Sequence, residues 1–198
     1  MADSYYTIAH EGEGIYKEKM SKFLSFAMKV TDPEEAKTII KTYQNKYHDA
    51  RHVCWAYMTG ADRDNWQLND NGEPSGTAGK PILGQINSFG LTDVLVIVVR
   101  YFGGIKLGTP GLIAAYREAA RAALEDAGKI EVHKTSQIKI TFPYESANEV
   151  MKVVKSEETE VTDRVFDNSC SMTISFREDH AERIRNRIFN IPGVTSAE

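Results

Sequence analysis

Two cysteines in 198 residues, Cys54 and Cys170, are too few and too far apart to make a disulfide framework. Each sits in an apolar, strand-like run, so the expectation is two reduced, buried and inert thiols, as in a cytosolic protein. Long hydrophobic runs are missing as well. No stretch approaches the roughly 18 residues that a membrane helix needs. Met1–His10 lacks the charged-then-apolar pattern of an export leader. Excess positive charge is also absent. The formal net charge is −4, which excludes wholesale affinity for nucleic acid, and no recognition of DNA sequence is expected. No repeat and no low-complexity tract interrupts the chain. The expectation is a cytoplasmic protein with no membrane role.

What is present is enough apolar material, 41% of residues, to pack one large domain or two small ones. Lys22–Val30 and Val53–Met58 read as strands. Between them Asp32 can cap a helix, with Pro33 at its first position and Glu35 at capping-box spacing. Ala36, Ile39, Ile40, Tyr43 and Tyr47 make that helix's apolar stripe. Asp62–Gly72 is a polar loop or hairpin arm. Ala78–Phe89 is helical and ends at Gly90. Val94–Val99 is a continuous apolar run, which predicts a strand buried on both faces. Leu112–Ala127 is an alanine-rich helix stopped by Gly128. Beyond Lys129 the pattern changes to strand Gln137–Phe142, helix Ser146–Ser156, a hairpin of Glu160–Phe166 and Cys170–Phe176 turning at Asp167-Asn168-Ser169, and helix His180–Asn190. That order suggests a ferredoxin-like module with its last strand short or missing.

Two glycine-rich stretches stand out in the middle third: Glu73-Pro74-Ser75-Gly76-Thr77-Ala78-Gly79-Lys80-Pro81 and Arg100-Tyr101-Phe102-Gly103-Gly104-Ile105-Lys106-Leu107-Gly108-Thr109-Pro110-Gly111. Each carries a lysine and runs into a helix. From Ser75 to Arg117 four cations, Lys80, Arg100, Lys106 and Arg117, stand against one anion, Asp93. Glycine lets a ligand or another segment approach the backbone closely. The second stretch leads from a strand into a helix that Thr109 can cap, with Pro110 at its first position. A helix start offers free N–H groups to an anion. The other reading of the same glycines is a tight crossover that serves packing alone.

Several familiar chemistries do not fit. A P-loop would need glycine at Pro74 and Ser or Thr after Lys80, where Pro81 stands. Gly103, Gly104 and Gly108 do not have dinucleotide-fingerprint spacing. His48, His52 and Cys54 lack a second ligand cluster, so no metal is expected. Ser75 and Thr77 sit in no nucleophile elbow, and no catalytic residue is assigned. Tyr101, Phe102, Lys106, Arg117 and Arg121 offer stacking rings and phosphate contacts to RNA. Arg183, Arg185 and Arg187 form a second basic cluster.

The paired stretches, together with His52-Val53-Cys54-Trp55-Ala56-Tyr57, Asn71-Gly72 and Val98-Val99, resemble the family of the eukaryotic Impact protein and its bacterial YigZ relatives over roughly residues 15 to 130. Where that family usually has Gly-Thr-Gly-Gly, this chain has Gly108-Thr109-Pro110-Gly111, so position 110 has no main-chain donor. The resemblance implies an α+β protein of two domains. Residues 1–134 would form a domain like the second domain of ribosomal protein S5. Residues 135–198 would form a ferredoxin-like module similar to those of elongation factor G. It also implies a non-catalytic regulator linked to translation, whose partner is the ribosome, RNA or a translation-associated protein, with no cofactor. The expected contact surface is one groove made from Glu73, Ser75, Gly76, Thr77, Gly79, Lys80, Arg100, Gly103, Gly104, Lys106, Gly108 and Thr109. The alternative is an enzyme or small-ligand protein that takes a phosphorylated compound at the same motifs.

Overall fold

A computed structural model describes residues 4–166 and 169–197. The turn expected at Asp167-Asn168 lies outside the described residues. In chain order the elements are β1 (Ser4–Ile8), β2 (Gly12–Glu18), β3 (Ser21–Lys29), α1 (Pro33–Lys46), β4 (His52–Thr59), β5 (Asn65–Asn69), α2 (Gly79–Phe89), β6 (Val94–Tyr101), α3 (Gly108–Ala127) and β7 (Lys129–His133). They continue with β8 (Thr135–Phe142), α4 (Ala147–Ser156), β9 (Glu160–Val165), β10 (Cys170–Arg177), α5 (Ala181–Phe189) and β11 (Thr195–Ser196). The fold is α+β, and the chain divides into two compact units, Tyr5–Val132 and the chain from His133 onward.

The larger unit is built on β6. Its six residues Val94–Val99 are fully buried, because β6 is the middle strand of an antiparallel sheet ordered β2-β3-β6-β4-β5. Alternate residues point to opposite faces. Val94, Val96 and Val98 meet α2 and α3 together with Phe23, Cys54 and Ala56. Leu95, Ile97 and Val99 meet α1 with Phe26, Tyr57 and Ile40. A strand with helices on both faces needs no polar side, which is why this one shows no alternation. The α1 start follows its sequence. The Asp32 carboxylate accepts from the Glu34 and Glu35 amides at 2.9 Å each, and Glu35 Oε2 accepts the Thr31 amide at 2.8 Å. A left-handed Gly90 (φ +66°) closes α2.

The alanines of α3, including Ala119, Ala120, Ala123 and Ala127, are buried and let β2 lie against the helix. A Cβ built on Gly12 would stand 2.3 Å from the Ala123 carbonyl oxygen. Glycine is therefore required by this close approach. A separate two-stranded pairing joins β1 and β7.

The smaller unit has sheet order β11-β8-β10-β9, with α4 joining β8 to β9 and α5 joining β10 to β11. This is the ferredoxin-like connection, and its last strand is a two-residue piece, Thr195–Ser196. Ile138, Ile140, Phe142, Cys170, Met172, Ile174 and Phe176 pack from the sheet against Val150, Val154, Ile184 and Ile188. No helix of the described residues is long and apolar enough to cross a membrane.

Candidate functional site

The first glycine stretch folds around a carboxylate of its own chain. Asp70, just past β5, accepts the Ala78 and Gly79 amides on Oδ1 at 3.0 and 2.8 Å, and the Gly76 amide on Oδ2 at 2.8 Å. Burial alone would raise the Asp70 carboxyl. The bonds from Gly76, Gly79 and Ala78, with Lys80 nearby, outweigh burial and hold it below its ordinary range. Thr77 is likewise used locally, its hydroxyl donating to the Pro74 carbonyl at 2.6 Å. The amides that sequence reading offers to an external anion at Gly76 and Gly79 are thus already taken by an internal one.

Glu73, from the same stretch, reaches into the unit between β4, β6 and α3. Its Oε1 accepts from Arg100 Nη1 at 2.6 Å and from the Tyr116 hydroxyl at 2.8 Å. The guanidinium of Arg100 lies 5.6 Å from the Phe23 ring centre and 5.5 Å from that of Phe102. Arg100 is only 5% exposed, and its Nε is buried without a hydrogen-bond partner. As a free cation for a ligand it must be corrected: it is a buried ion pair, held because an uncompensated charge there is expensive. His52 places Nδ1 2.8 Å from the Asn71 carbonyl oxygen and Nε2 3.8 Å from Glu73. Cys54 donates to the Asp70 carbonyl at 2.9 Å, and burial pushes its thiol up to about 12. Burial, with Cys54 and Glu73 beside it, also raises the Tyr116 hydroxyl. Neither group is ionised near neutrality. Both cysteines are unbridged and buried.

The second stretch closes the other side. The Gly103 amide donates to Ser21 Oγ at 3.3 Å. A Cβ at Gly103 would stand 2.0 Å from the Met20 carbonyl carbon, so this glycine exists for a backbone-to-backbone approach. Helix α3 starts at Gly108, two residues after Lys106, and has no side-chain cap. The expected Thr109 cap with Pro110 at the first position is therefore corrected. The structure supplies the sharp turn through Gly108 at φ +70° instead, which leaves the Thr109 side chain at the surface.

Between the two stretches lies a cleft of about 620 Å³. Its floor holds Glu73, Arg100 and His52, and its rim holds Arg51, Phe102, Lys106 and Thr109. Arg51 lies 5.9 Å from the Phe102 ring centre. Arg51 and Lys106 are exposed, and neither is in a salt bridge among the described residues. Of the residues read from sequence, Glu73, Arg100, Lys106, Gly108 and Thr109 line this cleft. Gly76 and Lys80 line a separate depression with Arg117. Ser75, Thr77, Gly79, Gly103 and Gly104 line neither and shape the loops.

Other expected RNA contacts are engaged elsewhere. The Tyr101 hydroxyl donates to Asp49 at 3.0 Å, Arg121 pairs with Glu125 at 2.7 Å, and Arg183 and Arg187 pair with Glu157. Sequence reading missed Arg51 and Tyr116, and it weighed His52 as a metal ligand or as a base near Ser75 and Thr77. The signal for His52 is register, since β4 and β6 pair it with Arg100, and Tyr116 follows from its place on the buried face of α3 with Leu112, Ala115 and Ala119.

Residues 19–124, more than half of the chain, match the family model of the Impact N-terminal domain. IMPACT family member YigZ of Escherichia coli (strain K12) is 43% identical over 54% of this chain. IMPACT family member YvyE of Bacillus subtilis (strain 168) is 38% identical over 66%. The match spans 53% and 60% of those two proteins' own lengths. A solved structure described as a hypothetical protein superposes with a TM-score of 0.78 at 24% identity, over 99% of this chain and 97% of that one, so the fold is shared.

Proposed function

The chain belongs to the Impact family, and from that premise we propose that it is a cytoplasmic, non-catalytic regulator of translation that binds single-stranded RNA in the cleft at the start of α3. One observation carries the proposal. The buried cation Arg100 is matched by Glu73, whereas the rim cations Arg51 and Lys106 have no carboxylate partner among the described residues and flank an exposed ring, Phe102, 41% accessible. Unmatched cations beside an aromatic face suit a phosphate and a stacked base. The start of α3 adds its partial positive charge on the same side.

Glu73 is occupied by two donors, and the Cys54 thiol is held protonated by burial. Recognition needs only the rim, and the Glu73–Arg100 pair serves to hold β6 and the loop together beneath it. The local charge also explains how a protein of net charge −4 can bind a polyanion. The translation role follows the family resemblance, and the unbridged cysteines accord with the cytoplasm.

The test is the affinity of the full chain for a labelled single-stranded RNA as salt is raised. Released counterions give a slope of about −0.7 in log K against log salt per phosphate contacted. Binding with a slope near −1.4 supports two rim contacts, and absence of binding at low salt overturns the reading. A second reading, a small phosphorylated ligand, is favoured by one observation: a single concavity of about 620 Å³ is the size of a small-molecule site. A mononucleotide that raises the melting temperature where RNA does not would select it.

A further inference from the structure

Resting on the RNA-binding reading of the cleft, we propose that the bound strand continues across the first turns of α3 into the depression between α2 and α3, where Lys80 and Arg117 take a further phosphate. That depression, about 360 Å³, is lined by Gly76, Lys80, Gln85, Ile113 and Arg117. Lys80 and Arg117 are both exposed, come from different helices, and form no salt bridge among the described residues. The carboxylate that Lys80 influences is Asp70, and both Asp70 oxygens are occupied by amides of Gly76, Ala78 and Gly79.

The two depressions share their walls. Thr109 and Leu112 of α3 face the cleft, and Ile113 and Arg117 of the same helix face the second depression. Glu73 and Pro74 border the first, and Gly76 and Lys80 border the second. The loop between them is the ridge that a strand crosses. This gives the Asp70-centred loop a purpose beyond packing. A Cβ on Gly76 would lie 3.4 Å from Lys80 Cδ, so the lysine stem runs over a bare backbone at φ +77°, aimed by the loop rather than left to wander.

Helix geometry decides between a compact ligand and a strand. Thr109 and Arg117 are eight residues apart, about 12 Å along the axis at 1.5 Å per residue. One phosphate group does not reach both, but successive phosphates of one strand do. The track also has an end. Arg121, one turn beyond Arg117, is paired with Glu125 at 2.7 Å and offers no unmatched charge.

The experiment measures fluorescence anisotropy of the full chain with labelled oligouridylates roughly 4 and roughly 12 nucleotides long, between about 50 and about 200 mM salt. Lys106→Glu is expected to weaken both strands. Lys80→Glu with Arg117→Glu is expected to weaken the long strand at least tenfold and to reduce its salt slope by about 0.7, the loss of one phosphate contact. The short strand is expected to bind that double variant as it binds wild type, which also shows that the variant is folded. If the double variant binds the long strand with wild-type affinity and slope, or loses both strands equally, the second subsite is wrong while the cleft reading stands. If wild type binds neither strand, the cleft reading fails and this proposal fails with it. An acidic peptide that displaces the long strand at equal concentration overturns RNA as the occupant.

Discussion

At the scale of single residues, the glycine stretches were legible as loops, and five of the residues read from them, Glu73, Arg100, Lys106, Gly108 and Thr109, border one cleft. Whether a cation is free cannot be read from the sequence, because that depends on what the fold brings to it. Arg100 is neutralised by Glu73, 27 residues away, and no local pattern announces the pairing. The amides of Gly76 and Gly79 serve Asp70 for the same reason. Asp70→Ala leaves three donors without their acceptor and is expected to destabilise the larger unit by about 2–3 kcal/mol at neutral pH. Because the folded Asp70 carboxyl titrates below its unfolded value, its stabilising effect is present above about pH 4 and is lost as pH falls through the lowered value. Denaturant midpoints of wild type and Asp70→Ala should therefore converge in acid; a gap that widens there would contradict the account. Cys54, with its thiol pushed up to about 12 and fully buried, is expected to resist alkylation in the native state at pH 8 and to react on unfolding. Rapid native labelling at this position, read by peptide mass spectrometry, would be the contrary result.

At the scale of elements, the sequence speaks clearly where local chemistry decides. The α1 cap at Asp32, the Gly90 stop of α2 and the apolar run of β6 stand where their residues place them. It speaks poorly where a tertiary contact decides. Strand β2 is an edge strand whose glycines answer to α3, and β7 alternates over only five residues, four of them exposed. Of the two readings of Asp62–Gly72, loop or hairpin arm, the hairpin arm holds, because strand β5 pairs with β4. Helix α3 begins at Gly108, four residues before the apolar pattern starts. The glycines of the second stretch divide by role, and Gly103 is the packing one. Gly103→Ala puts a methyl group into the Met20 backbone and is expected to cost about 1–3 kcal/mol, as overpacking does, measurable as a lowered melting temperature. An unchanged melting temperature would remove the steric role assigned here to Gly103.

At the scale of the whole molecule, an α+β protein of two units was readable from the change in pattern after Lys129, and each unit has its own core. What remained hidden was which cations of an acidic chain are paired. In the smaller unit Glu157 collects Arg187 and Arg183, and the Arg187 bond in the first place holds its carboxyl below the ordinary range against burial. Those arginines are thereby structural. Both are about half exposed, so the cluster contributes no more than about 1 kcal/mol. That stabilisation is present above about pH 4.3 and is lost as pH falls below it. Glu157→Gln should lower the melting temperature at pH 7, and the difference should shrink as pH falls through the lowered value of Glu157; a loss that stays equal as the carboxyl is protonated would contradict the pairing. In the larger unit the pair Glu73–Arg100 is matched at the cleft floor, and the rim cations Arg51 and Lys106 form no salt bridge among the described residues. The direct measurement is the affinity of wild type and of Lys106→Glu for one single-stranded RNA at low salt, with melting temperatures taken alongside. The account predicts at least a tenfold loss of affinity with stability changed by no more than about 0.5 kcal/mol, as for a surface substitution. If Lys106→Glu binds the RNA as wild type does, the cleft is not an anion site and its glycines serve packing alone.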